Sequence, residues 1–334
     1  MYTSIYGWMA IFYSKCIKNG RSITSFFYIK RKEENNMKIG IDLGGSHIGI
    51  GLVDKSYNII DKMDYVWKTE EKKDIYNTME KYCIKLIKEI CEKNEINLKE
   101  VESIGIGFPK KNIKDGIVYV DNKKIELRKK IEKIYNISTY LKNDVKCSGM
   151  CEKTLGAIQK YDNAIFLTLG TGIGGAYFYE NKLVVPNTYQ GMEIGHMIIQ
   201  VNGKTCRCGQ KGCFEEYASM RAFRNKIRET YNLEDVNSEI VLNLYDKKEK
   251  LEKMNQIIDE YIEYLSIGLA NLINIFEPDA ICIGGSFVHY ERIFMKKLQN
   301  NLKARFKKRE IPEIILAKYG NDAGIIGAAM LQSN

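Results

Sequence analysis

No apolar stretch in the chain approaches the roughly 20 residues needed to span a bilayer, so a membrane-crossing helix is not expected. Histidine is scarce, with 3 in 334 residues, which makes the position of each informative. The 9 cysteines follow no evenly spaced framework, so the expectation is a reducing cytoplasm rather than a disulfide scaffold. A large charge excess is also lacking. The net charge is +9, but residues 1–36 carry six Lys or Arg against two Glu, leaving +5 spread among interleaved charges. A nucleic-acid surface is therefore not required. Ile5 to Tyr13 is apolar and aromatic, yet no basic residue precedes it and no small-residue cleavage site clearly follows it, which makes a poor signal peptide. Met37 stands directly before Lys38-Ile39-Gly40-Ile41-Asp42, where a packed first strand would begin. The expectation is that Met37 is the natural start and that residues 1–36 are an upstream or poorly ordered extension. A short membrane-surface or partner-binding tail is the alternative.

What is present begins with 45% hydrophobic residues, enough for a substantial core and two domains. Strands are expected at Ile39–Leu43, Ile48–Val53, Tyr57–Trp67, Val101–Gly107, Ile113–Val120, Thr139–Leu141, Ala164–Leu169, Ala176–Tyr179 and Ala280–Ile283. Helical spacing marks Asp74–Lys93, Ile125–Tyr135, Val145–Gly156, two or three segments within Tyr217–Lys248, and the long stripe Met254–Phe276. Cys83 and Cys91 fall on the first of these helices and read as core or boundary thiols. Asp322 to Leu331, with Gly324, Gly327, Ala328 and Ala329, is a small-residue helix able to pack closely on a neighbour.

Three glycine-rich turns follow strands. Asp42-Leu43-Gly44-Gly45-Ser46 suits a hairpin whose backbone N–H groups face phosphate oxygens. Gly170-Thr171-Gly172-Ile173-Gly174-Gly175 allows close backbone approach to an anion, yet it is neither a Walker loop nor a dinucleotide fingerprint, because a strand follows it. Gly284-Gly285-Ser286 reads alone as a tight turn. Asn143-Asp144 lies at a strand-to-helix junction, where the plain explanation of the Asp144 carboxylate is a helix N-cap.

The most specific pattern runs from Glu193 to Glu215. His196 is followed by Cys206, Cys208 and Cys213, a Cys-x-Cys-x4-Cys set with a spaced His that suits a closed, structural zinc site. Gly209 and Gly212 let the backbone turn tightly enough for three thiolates to converge. A small-residue turn with reduced thiols, or with one disulfide, is the competing reading. Glu193 and Glu215 flank the set and would be fixed by it.

Glu-x-Gly-His followed by Cys-x-Cys-Gly-x2-Gly-Cys-x-Glu resembles the signature of the ROK family of sugar kinases and sugar-responsive repressors. The other landmarks occur in that family's order from Met37 to the end. The resemblance implies a two-domain α/β fold of the ribonuclease-H-like, actin-like ATPase kind, with an interdomain cleft and a structural zinc loop. The small domain would comprise residues 37–145 plus 320–334, and the large domain residues 146–319 with the zinc knot. The last helix would cross back onto the first domain.

It further implies an ATP-dependent hexokinase, with glucose the favoured substrate. Asp144 would be the general base. Asn143, Asp144, Glu193, His196 and Glu215 would line the sugar. Asp42, Gly44, Gly45, Ser46, Thr171, Gly172, Gly284 and Gly285 would bind ATP and its phosphates, with Mg2+ near Asp42. His196, Cys206, Cys208 and Cys213 would bind Zn2+. A homodimer or homotetramer is implied, with neither nucleic acid nor membrane as partner. N-acetylmannosamine, N-acetylglucosamine or fructose kinase, and a non-catalytic sugar-sensing regulator, are the alternatives. Ser46-His47 and Pro109-Lys110 depart from the family's usual residues, which leaves the roles of His47 and Lys110 open.

Overall fold

A computed structural model describes residues 37–110, 112–120, 123–186, 192–247 and 250–332. The expectations for residues 1–36 lie outside them. The first sheet contains β1 (Met37–Leu43), β2 (His47–Val53), β3 (Ile59–Val66) and β4 (Val101–Phe108). Three short strands, β5 (Ile113–Lys114), β6 (Ile117–Val120) and β7 (Lys123–Ile125), form a small sheet of their own. β8 (Ser138–Asn143) returns to the first sheet, whose order is β3-β2-β1-β4-β8.

The second sheet repeats the plan. Its strands are β9 (Ala164–Leu169), β10 (Ile173–Tyr179), β11 (Lys182–Leu183), β12 (Ala280–Gly284) and β13 (Glu313–Leu316), in the order β11-β10-β9-β12-β13. In both sheets the leading strands pair antiparallel and the later ones join in parallel.

Burial explains the local choices. β1 buries Ile39, Gly40 and Ile41 in succession, as a central strand covered on both faces does, whereas the edge strand β3 alternates half-buried and exposed positions. Helix α1 (Ile75–Lys93) turns Met79, Cys83, Leu86, Ile87, Ile90 and Cys91 inward, the spacing of a single apolar face. α2 (Leu127–Tyr135) ends at Asn136 with φ 54°, and α3 (Asp144–Thr154) links the two sheets. Beyond β10, the short α4 (Glu215–Ala218) and then α5 (Met220–Tyr231), α6 (Ser238–Asp246), α7 (Leu251–Phe276) and α8 (Glu291–Arg305) cover the second sheet. Phe223, Tyr261 and Phe294 meet there, with ring centroids 4.9–5.0 Å apart.

The last helix, α9 (Asp322–Ala329), packs on β1, β4 and α3. Gly40 and Gly105 are register partners on β1 and β4, and a Cβ on either would fall 1.9 Å from Ile325 O or 1.8 Å from Ala328 O. These glycines therefore form the flat seat that a helix backbone needs.

Two expected elements differ. Ile113–Val120 is two strands rather than one, because Asp115 and Gly116 take φ values of 53° and 72° and fold it into a hairpin. At the β8–α3 junction, Asn143 is the cap and Asp144 the first helical residue. No helix among the described residues is long and apolar enough to cross a membrane.

Candidate active site

Parallel register builds the centre of the site. Asp42 on β1 pairs with Gly107 on β4, Gly107 with Lys142 on β8, and Phe108 with Asn143, so three strand ends deliver Asp42 and the Asn143-Asp144 pair to one edge. Asn143 accepts from the Lys146 backbone N–H at 3.3 Å and donates its amide to Asp144 Oδ1 at 2.8 Å. The Val145 N–H donates to the same carboxyl oxygen at 2.9 Å.

Burial raises the Asp144 carboxyl to about 6, against the lowering effect of these hydrogen bonds. Asp42 is raised to about 7, first by burial and then by the charges of Asp144 and Asp64. Both residues are half-buried, so the acidic pair keeps access to solvent or a ligand.

Two glycine loops border this edge. In the first, the Gly44 N–H donates to His47 O at 2.8 Å, and Gly45 and Ser46 are exposed. Ser46 Oγ lies 3.3 Å from His47 Nδ1. In the second, the Gly170 N–H donates to Gly172 O at 3.0 Å and Thr171 is exposed. Arg221 braces this loop: its N–H donates to Gly170 O at 3.1 Å and its Nε to Thr171 O at 2.8 Å. The Gly284-Gly285 turn lies beside the same loop, since a Cβ on Gly285 would be 2.6 Å from Leu169 O.

His196, Cys206, Cys208 and Cys213 converge, with one ligand atom from each lying within 4.8 Å of all the others. Cys206 Sγ is 3.6 Å from His196 Nδ1, and Cys208 Sγ is 3.6 Å from Cys213 Sγ. Tetrahedral coordination at zinc bond lengths has edges of about 3.6–3.8 Å, so these two separations match such an ion and the donor set could hold it. Gly209 and Gly212 have φ of 91° and 82°, and a Cβ on Gly212 would lie 1.8 Å from Gln200 O.

His196 divides the flanking glutamates. Its Nε2 is 3.6 Å from Glu193 Oε2, while Nδ1, on the thiol side, is 3.8 Å from Glu215 Oε1. Glu215 is almost fully buried, 3.3 Å from Arg207 Nε, and it abuts Gly172 of the second loop. The cysteine knot and the second loop are thus in contact.

Three residues of the site went unnoticed in the sequence. Arg221 braces the second loop, as described above. Lys146 is buried, donates to Gly175 O, and is lowered to about 8 by desolvation, which the nearby charge of Glu193 opposes. Trp67 contacts the first loop from behind. Only Trp67 carried a signal, as one of two tryptophans in the chain.

The ROK family model matches residues 38–334. The chain belongs to the ROK family. Among ROK relatives, a glucokinase from Thermotoga maritima is 29% identical over 314 residues, covering 88% of this chain and 96% of the relative. An N-acetyl-D-glucosamine kinase from Vibrio atlanticus is 28% identical over 310 residues, covering 88% and 99%. A ROK glucokinase from Streptomyces griseus, solved with glucose and AMPPNP, superposes with a TM-score of 0.71 at 25% identity, covering 88% of this chain and 98% of that one. The fold is that of the actin-like ATPases, α/β with mixed sheets.

Proposed function

We propose that the protein phosphorylates a hexose with ATP, glucose being the favoured substrate, and that Asp144 is the general base. The observation that carries this reading is the Asn143-Asp144 pair, held at the end of β8 beside Asp42 and the glycine loops. A carboxyl raised to about 6 is mostly ionised at neutral pH, yet basic enough to accept a hydroxyl proton. Asp144 takes the proton of the sugar's 6-hydroxyl as that oxygen attacks the γ-phosphate, and ADP leaves. Asn143, Glu193, His196 and Glu215 hold the other hydroxyls.

Gly45, Ser46, Thr171 and Gly172 present backbone N–H groups and hydroxyls to the phosphates, with Gly44 shaping the first loop. Gly284 and Gly285 receive the adenosine end. Mg2+ held near Asp42 would neutralise charge on the phosphate oxygens. His196, Cys206, Cys208 and Cys213 would hold a structural zinc, leaving His196 Nε2 and Glu193 for the sugar. The two sheet units, read as a small domain (37–145 with 320–334) and a large one (146–319), would close over the substrates and exclude water as a competing acceptor. The relatives support both glucose and N-acetylglucosamine as substrate.

The test is ADP release with Mg-ATP across a panel of hexoses and N-acetylhexosamines, with Asp144→Asn as control. Turnover on one sugar that vanishes in the variant is expected. Silence across the panel from folded protein would sink the reading.

A further inference from the structure

We propose that Trp67 is a positioning residue for the nucleotide, fixing the shape of the first phosphate loop from its buried side. This rests on the kinase reading of that loop. Trp67 follows β3 and is only 2% exposed. It grips the loop at two carbonyls: its indole Nε1 donates to Gly44 O at 3.0 Å and its backbone N–H donates to Ser46 O at 2.9 Å.

A trans peptide directs its C=O and N–H to opposite sides. Drawing the Gly44 carbonyl towards the indole therefore turns the Gly45 N–H away from the protein, on the side where Gly45 and Ser46 are exposed. An outward N–H at a glycine is what a phosphate oxygen requires.

The indole is itself held. Its ring centroid is 5.9 Å from that of Tyr65 and 5.6 Å from that of Tyr82, and those two tyrosines stack at 4.2 Å. Both hydroxyls donate to the Glu71 carboxylate, Tyr65 at 3.0 Å and Tyr82 at 2.7 Å, and the Lys68 N–H donates to it at 2.8 Å. Swinging the indole away would disturb β3, α1 and this network together. Packing alone would not need an N–H aimed at a loop carbonyl; a phenylalanine would fill most of the same space.

The discriminating variant is Trp67→Phe, which keeps a ring and removes the indole bond. Calorimetric titration with Mg-AMPPNP, and separately with glucose, is compared between wild type and variant. Nucleotide affinity is expected to fall about threefold to tenfold, the usual worth of one neutral hydrogen bond, with glucose affinity unchanged. A second measurement needs no change at this position. In Trp8→Phe protein, where Trp67 is the remaining tryptophan, Mg-AMPPNP should shift the tryptophan emission and glucose alone should not. Equal nucleotide affinity in wild type and Trp67→Phe, equal losses for both ligands, or unresponsive emission would each overturn the proposal while leaving the kinase reading intact. Wild-type protein that binds no Mg-AMPPNP would remove both.

Discussion

Asn143 donates to the Asp144 carboxyl at 2.8 Å while accepting the Lys146 N–H at 3.3 Å, so a single side chain caps α3 and orients the proposed base. Its donated bond favours the ionised carboxylate and opposes the larger effect of burial. Turnover should therefore fall as pH drops through about 6, because the base must be ionised to accept a proton. Removing the amide in Asn143→Ala takes away a lowering influence, and the acid limb of the kcat/KM profile should move to higher pH. A pH–rate profile of both proteins checks this; a limb that stays put would detach Asn143 from the base. Asp144→Asn should lose about 10² to 10⁴ in kcat with sugar affinity retained, measured by turnover and by sugar titration.

Asp42 leads to a prediction about stability. Its carboxyl is raised to about 7 in the fold from an ordinary 3.8, so the folded protein binds that proton more tightly than the unfolded chain does. Stability contributed at this site is therefore present at low pH, declines as pH rises from about 4 to about 7, and is flat above that. Asp42→Asn should raise Tm at pH 8, change it little at pH 4, and abolish most Mg-ATP-dependent turnover. Thermal melts at the two pH values, paired with activity, read both arms. A variant no more stable at pH 8 than wild type would show that the acidic cluster is not under strain.

What could be read from the chain was whatever is written locally. The glycine turns after strands, the small-residue last helix and the Cys-x-Cys-x4-Cys run each depend on neighbours in sequence, and the structure brings the four proposed metal ligands together. The Asp115-Gly116 hairpin was also written locally, as an Asp-Gly pair between apolar stretches. The single strand expected over Ile113–Val120 runs through that pair, whose positive φ values turn the chain instead. Lys146 and Arg221 were not legible because their roles depend on distant partners. Lys146 is buried by a strand 29 positions away, and Arg221 reaches back 50 to Thr171. A lysine near a helix N-terminus ordinarily points to water, and nothing in its neighbours indicates otherwise.

The seat of α9 makes the same point in energetic terms. Gly105→Ala would drive a Cβ to 1.8 Å from Ala328 O, a clash with backbone rather than with a movable side-chain tip. The helix must shift or the strand bend, at a cost of about 1–3 kcal/mol or more. Denaturant unfolding should show a lower midpoint with an unchanged slope. Because α9 also packs on α3, which begins at Asp144, turnover should fall more than stability alone explains. Full activity in a destabilised Gly105→Ala protein would mean that α9 supports the fold without aligning the base.

In the proposed scheme the cysteine knot would couple metal to sugar through one imidazole. His196 faces the thiols with Nδ1 and Glu193 with Nε2, so a metal bound to Nδ1 would fix the tautomer that leaves the proton on Nε2. Without the metal the ring would be free to rotate, and the contact between Glu215 and Gly172 would be expected to loosen with the knot. Cys208 is the residue to change because it is exposed, so serine there removes a ligand without opening a cavity. Purified wild-type protein should contain close to one zinc per chain, and Cys208→Ser much less. The variant should melt at lower temperature and bind hexose about tenfold more weakly, the worth of a charge-assisted hydrogen bond. Mg-AMPPNP affinity should fall as well, through the contact between Glu215 and Gly172 of the second loop, although the first loop lies on the other sheet. Metal content by atomic absorption, with hexose and nucleotide titrations on the same sample, separates the outcomes. A folded, zinc-free variant with wild-type hexose affinity would break the proposed link between the metal and the sugar.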